Sequence, residues 1–200
     1  AQATARTIAA NPDPYQPAGT LAFVDPLSQP KAWSSSSNTN WGGQCQFVNG
    51  AYQISQSQPN KNFICNENIQ YSNFAFEVKI TINQGNCGGL AIRGNSGVSN
   101  LYFFDVCQDG SYHFAKYKSR SASDEVFLRT GNSSATQQGT DQSNVIAVVA
   151  NGSSFDLYIN GQKIDSASDS AYSQGYIGLV ADAPNNATTV TYQDARVWTI

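Results

Sequence analysis

NFAFEVKITI, residues 73–82, puts Phe74, Phe76, Val78, Ile80 and Ile82 in one phase of a two-residue alternation and Ala75, Glu77, Lys79 and Thr81 in the other. Side chains of an extended strand point to opposite faces in turn, so this run describes a β-strand with one face in a core. Working outward, shorter alternating runs predict strands near 44–48, 51–56, 87–93, 101–107, 111–118, 126–130, 145–150, 154–159, 162–167, 175–181 and 188–198. No segment carries a convincing 3.6-residue period. Four pairs, Asn49-Gly50, Asp109-Gly110, Asn151-Gly152 and Asn160-Gly161, separate neighbouring runs. Both central residues of a type I′ turn need positive φ, so each pair predicts a two-residue hairpin. The fold class expected is all-β, a two-sheet antiparallel β-sandwich.

Residues 1–18, AQATARTIAANPDPYQPA, read differently: an Ala-rich start runs into Pro12, Pro14 and Pro17. Prolines lack the ladder donor and favour extended polyproline II, so a flexible tether is expected here. The remaining residues, 19–200, read as one sandwich domain, with alternation starting at Leu21 and Phe23. Only 12% of residues are charged and the net charge is −3, which leaves no basic stripe for phosphates. No nucleic-acid partner is expected.

The four cysteines, Cys45, Cys65, Cys87 and Cys107, contain no CxxC pair, and the chain has one histidine, His113. A zinc site is therefore disfavoured, and an even disulfide set in an oxidising, extracellular compartment fits better. If the loop 94–100 joins the strands on either side as a hairpin, Arg93 faces Leu101, and counting back sets Cys87 opposite Cys107. Cys45 and Cys65 then pair by elimination. A simple meander would hold them roughly 10 Å apart, two strand spacings, which is too far for a bridge. Residues 57–66 are therefore expected to leave that sheet and fold back.

Catalytic signals are sparse. GxSxG, HExxH and phosphate-binding glycine loops are absent from the sequence, and no ExDxxE-type strand motif pairs carboxylates on one face. Glu77, Asp105, Asp109, Asp124 and Glu125 could form a glycosidase pair only through the tertiary fold. Asp105, Asp109 and Asp182 lie near turns without a dense calcium-type loop, so neither a metal nor a cofactor is expected. Aromatics say more. Most alternate into the core, but Trp33 and Trp41 bracket a polar loop, SSSSNTN at 34–40, where an aromatic plate beside amide donors suits a sugar. The alternative for that loop is two hydrophobic anchors. Strand parity adds a candidate face: Glu77 outward on 73–82, Arg93 on 87–93, Phe103 and Asp105 on 101–107, then His113 and Tyr117 on 111–118. Glu77, Arg93, Phe103, Asp105, His113, Tyr117 and Trp41 are the ligand-binding candidates. For Glu77 and Arg93 the competing reading is a cross-strand ion pair.

The motifs FAFEV (74–78), GGLAIR (88–93) and YFFDVCQDGSY (102–112), followed by the 155–182 stretch and VTYQDARVW (190–198), resemble a concanavalin A-like, LamG-like jelly roll over about residues 20–200. The chain is similar to the extracytoplasmic domain of bacterial receptor-type serine/threonine kinases, which implies a kinase and a transmembrane helix outside this sequence. The resemblance implies a non-catalytic sensor module that binds carbohydrate or another small extracellular ligand. A glycoside hydrolase and a structural or protein-interaction spacer stay open beside it.

Overall fold

The alternation at 73–82 becomes strand β6, Phe74–Gln84, at the centre of a computed structural model that describes residues 12–97, 99–118 and 124–200. The strands before it are β1 Thr20–Asp25, β2 Ser36–Asn38, β3 Gly43–Val48, β4 Ala51–Gln56 and β5 Lys61–Tyr71. After it come β7 Cys87–Gly94, β8 Leu101–Cys107, β9 Ser111–Tyr117, β10 Glu125–Asn132 and β11 Ser143–Asn151. The chain ends with β12 Ser154–Ile159, β13 Gln162–Ser168, β14 Gly175–Ala183 and β15 Thr188–Thr199.

All four Asn/Asp-Gly pairs sit at hairpins, but they do not use one turn. Asn49-Gly50 (φ 51° and 74°) and Asn160-Gly161 (50° and 77°) have both residues at positive φ, as a type I′ turn requires. At Asn151-Gly152 only the glycine is left-handed, and Asn151 pairs with Ser154, so Gly152 and Ser153 form the two-residue loop. At Asp109-Gly110 the Gly110 N–H returns to the Cys107 carbonyl and Gly110 takes φ 86°, a tight turn followed by a glycine bulge.

The strands form two antiparallel sheets. One runs β13-β12-β11-β6-β15-β4-β3-β2, with β1 also paired to β15; the other runs β10-β9-β8-β7-β14-β5. Phe74, Phe76, Val78, Ile80 and Ile82 of β6 meet Leu90 and Ile92 of β7 and Tyr102, Phe104 and Val106 of β8 in one core between the sheets. Each such side chain contributes about 1.5–3 kcal/mol by leaving water. β6 and β7 lie in different sheets, so the short link at Gly85-Asn86 turns from one layer to the other.

Both expected disulfides form. Cys87 and Cys107 are register partners on β7 and β8, with Cα atoms 4.0 Å apart. Cys45–Cys65 spans the layers, tying β3 of the larger sheet to β5 of the smaller, and residues 57–66 leave the first sheet as expected. Each bridge joins residues 20 apart and, by the chain-entropy model, stabilises by about 3 kcal/mol.

Of the expected tether, residues 1–11 lie outside the described residues. Tyr15 is docked on the outer face of the larger sheet, 3% exposed, with its ring against Tyr158 and Trp198. The packed chain thus starts several residues before β1.

Candidate functional site

The outer face of the six-stranded sheet carries a cleft of about 700 Å³. Its base follows strand parity. While Tyr102, Phe104 and Val106 of β8 enter the core, Leu101, Phe103 and Asp105 face outward. Phe103, 1% exposed, joins Ala91, Leu101 and Val180 in an apolar floor against which Ile64 and Tyr117 pack. At one end of that floor Asp105 from β8, His113 from β9, Glu125 from β10 and Asp182 from β14 line the same cleft. Asn60, Asn62 and Asn66 from β5 and its approach add amides, and Ser36, Ser37, Asn38 and Trp41 come from β2 and the turn after it. Trp41 and Phe127 are 37% and 54% exposed, so two aromatic side chains are partly accessible at the cleft.

The acidic end is tightly wired. Asp105 Oδ1 lies 3.1 Å from His113 Nδ1, and this hydrogen bond raises the imidazole above its ordinary value. Burial, then the neighbouring Asp105 carboxylate, hold the Asp182 carboxyl well above the usual carboxylate range. The two carboxyls are close enough to share a hydrogen bond, which requires a proton on one of them. Burial also pushes the Glu125 carboxyl up, opposed by its hydrogen bond with Tyr117. The Tyr117 hydroxyl in turn accepts from Asn62 Nδ2 at 3.1 Å, and burial raises it strongly. Lys61 sits over the Trp41 ring at 5.0 Å and donates to Gln58 Oε1.

A buried hydroxyl supports this end from below. Tyr192 of β15 crosses the core, accepts the Gly89 N–H at 2.9 Å and donates to the Val180 carbonyl, standing between β7 and β14 two residues from Asp182. Gly89 faces Asp105 across the ladder, and a Cβ there would lie 2.2 Å from the Phe104 carbonyl oxygen. Only a glycine lets β7 and β8 approach beneath the carboxylate.

Of the seven candidates, Asp105, His113, Tyr117 and Trp41 line the cleft, with Phe103 buried in its floor. Glu77 and Arg93 do not share that face. Glu77 belongs to β6 in the other sheet, where it accepts from Tyr15 Oη at 2.5 Å and Arg196 Nη1 at 2.9 Å. Parity transfers a face only between strands of one sheet, and β6 and β7 are in two. Arg93 fails for a local reason: its φ of 51° breaks the alternation of β7 and turns the side chain away from the outer face. There its guanidinium bonds the Ser72, Gly152 and Tyr172 carbonyls and stacks over the core residue Phe155 at 5.1 Å. The Glu77–Arg93 ion pair is likewise replaced by Glu77–Arg196. Trp33 is a buried anchor against Tyr52, so the two tryptophans of the polar loop divide the roles considered for them.

Parity on single strands missed Asp182, Glu125, Phe127 and the asparagines of β5. Asp182 and Glu125 had drawn notice only as isolated acids. Their convergence depends on β14 lying beside β7, and β10 beside β9, which only the sheet order supplies.

Two sheets in this arrangement, with a cleft on the outer face of one, define a concanavalin A-like jelly roll. The chain belongs to the 3-keto-alpha-glucoside-1,2-lyase-like domain family, whose model matches residues 28–197. Among solved structures it is similar to carbohydrate binding module CBM66 from Bacillus subtilis, with a TM-score of 0.69 at 19% identity over 84% of this chain and 96% of that one. A galectin-like protein of unknown function from Bacillus subtilis superposes with a TM-score of 0.68 at 16% identity, over 90% and 96% of the two chains. An endo-beta-1,3-glucanase from Pyrococcus furiosus gives 0.65 at 13% identity, over 91% and 95%. At such identities the likeness is one of fold. Comparison with curated proteins returns no match.

Proposed function

We propose that this chain is a non-catalytic, extracytoplasmic saccharide-recognition module whose ligand lies in the cleft on the six-stranded sheet. The observation that carries this reading is the pairing of partly exposed aromatic side chains, Trp41 and Phe127, with amides and carboxylates in one 700 Å³ cleft. A pyranose offers an apolar C–H face and a belt of hydroxyls, and needs this combination of a ring to stack on and fixed acceptors and donors. Fold neighbours named as a carbohydrate binding module and a glucanase use the same sandwich, which supports a saccharide as the ligand class. The two disulfides suit an oxidising compartment. The kinase context implied by the sequence resemblance concerns a longer chain and carries no part of this reading.

A glycan array followed by calorimetric titration of the best ligand tests the proposal. Trp41→Ala and Phe127→Ala should each weaken binding about tenfold, the cost of losing roughly 1.4 kcal/mol of stacking, with an unchanged melting transition. Binding that survives both substitutions would show that the ligand sits elsewhere.

A second reading, acid–base catalysis on a glycosyl substrate, is favoured by the His113–Asp105 hydrogen bond and by Glu125, which stands beside them with a raised carboxyl. The name of the family points the same way. Release of product from a saccharide by the purified chain, abolished by His113→Ala and by Glu125→Gln, would replace recognition by catalysis.

A further inference from the structure

The two oxygens of Asp105 have unequal surroundings. Oδ1 faces His113, whereas Oδ2 is buried and, apart from a proton that Asp182 can share with Asp105, has no hydrogen-bond donor. Asp182 stands next to it, and with both groups ionised two carboxylates would oppose each other with no donor between them. Glu125 adds a third carboxylate to the same end of the cleft. The positive charge to balance them is limited: protonated His113 serves Asp105 Oδ1, and the Lys61 ammonium is turned to Gln58 and the Trp41 ring. Among the described residues, then, no cationic donor is directed at Asp105 Oδ2 or Asp182.

We propose, building on the saccharide reading, that the cleft selects a sugar bearing a protonated amine, a 2-amino-2-deoxyhexose unit or its oligomer, whose ammonium donates to Asp105 Oδ2 and Asp182. An ammonium brings three donors and a full charge, and its hydrogen bonds to carboxylates are charge-assisted. An N-acetylated sugar offers one amide N–H and no charge, and a uronic acid adds a fourth anion. A divalent cation fits less well. Among the described residues the one trio of metal-ligating atoms within 4.8 Å is Cys87, Asp105 and Cys107, and those sulfurs are joined to each other. Asp105, Asp182 and Glu125 do not converge that closely, whereas calcium gathers six to eight oxygens at short range.

Where Asp182 holds a proton against Asp105, ammonium binding takes its place and that proton leaves to solvent. Among the described residues, the titratable and charged groups that line the cleft with Asp182 are Asp105 from β8, His113 and Tyr117 from β9, Glu125 from β10 and Lys61 from β5. Amino-sugar affinity should thus rise with pH through the Asp182 titration and fall once the amine itself deprotonates. A neutral sugar leaves the proton in place and shows no such rise.

The test is calorimetric titration of the chain with glucosamine oligomers, their N-acetylated counterparts and neutral gluco-oligosaccharides, in two buffers of different ionisation enthalpy. Expected at neutral pH is about tenfold or greater preference for the amine form, and, within the pH range where Asp182 titrates, heats that report proton release. In Asp182→Asn, whose melting transition checks its fold, the preference and the proton release should both disappear while Trp41→Ala weakens every sugar alike. Equal or tighter binding of the N-acetylated or neutral oligomers overturns the amine assignment and leaves saccharide recognition standing. Micromolar calcium binding lost in Asp182→Asn also overturns it. No binding of any of these sugars, or of any glycan on the array, removes both.

Discussion

Replacing Arg93 with alanine should unfold the molecule at markedly lower temperature without acting through the cleft. Arg93 is 2% exposed and makes four hydrogen bonds to three carbonyls: Ser72 at 3.0 and 2.6 Å, Gly152 at 2.7 Å and Tyr172 at 3.1 Å. Those carbonyls belong to three separate connections, the β5–β6 turn, the β11–β12 turn and the segment before β14, so one guanidinium ties them together at one edge of the core. Truncation leaves all three acceptors without their donor and removes the stacking over Phe155. Single hydrogen bonds to a charged group contribute about 1.5–3 kcal/mol, but bonds sharing one donor group are not additive. Leaving buried acceptors unsatisfied costs about 1–3 kcal/mol each, so a less-than-additive total of about 3–5 kcal/mol is expected for the three carbonyls. For a chain of this size each kcal/mol is worth about 2–4 °C, so the melting temperature should fall by roughly 6–20 °C. Arg93→Lys should lie between, because an ammonium keeps the charge but cannot fork across several carbonyls. Differential scanning calorimetry with urea titration measures this. A melting temperature within about 3 °C of the unsubstituted chain would refute the structural role.

Asp182→Asn should make the stability of the ligand-free protein less sensitive to pH. Unfolded, Asp182 titrates near 3.8, and folded it titrates higher, so its contribution is full at acid pH and is lost as pH rises through the folded value. Glu125 and His113, both raised, act in the same direction, whereas Asp109 and Asp169, both lowered, lose their contribution as pH falls. The chain should therefore melt higher near pH 5 than near pH 8, and the gap between urea titrations at the two should narrow in the variant, with Glu125 and His113 keeping the remainder. Tyr192→Phe strips a buried hydroxyl from the Gly89 N–H and Val180 carbonyl and should cost about 1–3 kcal/mol, read as a lower urea midpoint. Gly89→Ala should cost about 1–3 kcal/mol by overpacking against the β8 backbone, and should weaken ligand binding as well because Asp105 is displaced.

Local patterns carried most of the strand inventory, but not β2, which the polar run at 34–40 hid as a loop, nor the eleven-residue β5. The period-two run at 73–82 and the Asn-Gly pairs act within a few residues, so their geometry is written in adjacent side chains. The Cys87–Cys107 pairing followed for the same reason, since a hairpin converts sequence distance into register. Asp105, His113 and Tyr117 were legible as one face because β8 and β9 are hairpin neighbours, and Trp41 because a polar loop displays it.

What lay beyond the sequence depends on long-range order. Whether β6 pairs with β7 or crosses to the other layer is decided by which faces bury the most apolar surface together, and that choice moved Glu77 off the site. One left-handed residue reversed Arg93, a change in φ that no side-chain alternation reports. Asp182 and Asp105 stand 77 positions apart, and they meet because β14 inserts beside β7 in the tertiary fold. The amino-acid sequence by itself determined most of the antiparallel strands, their hairpins and the Cys87–Cys107 bridge, all products of short-range sterics and hydrophobic period, and left Cys45–Cys65 to follow by elimination. The tertiary structure alone brought the carboxylates of three non-adjacent segments to one end of a cleft, because burial couples residues by distance in space.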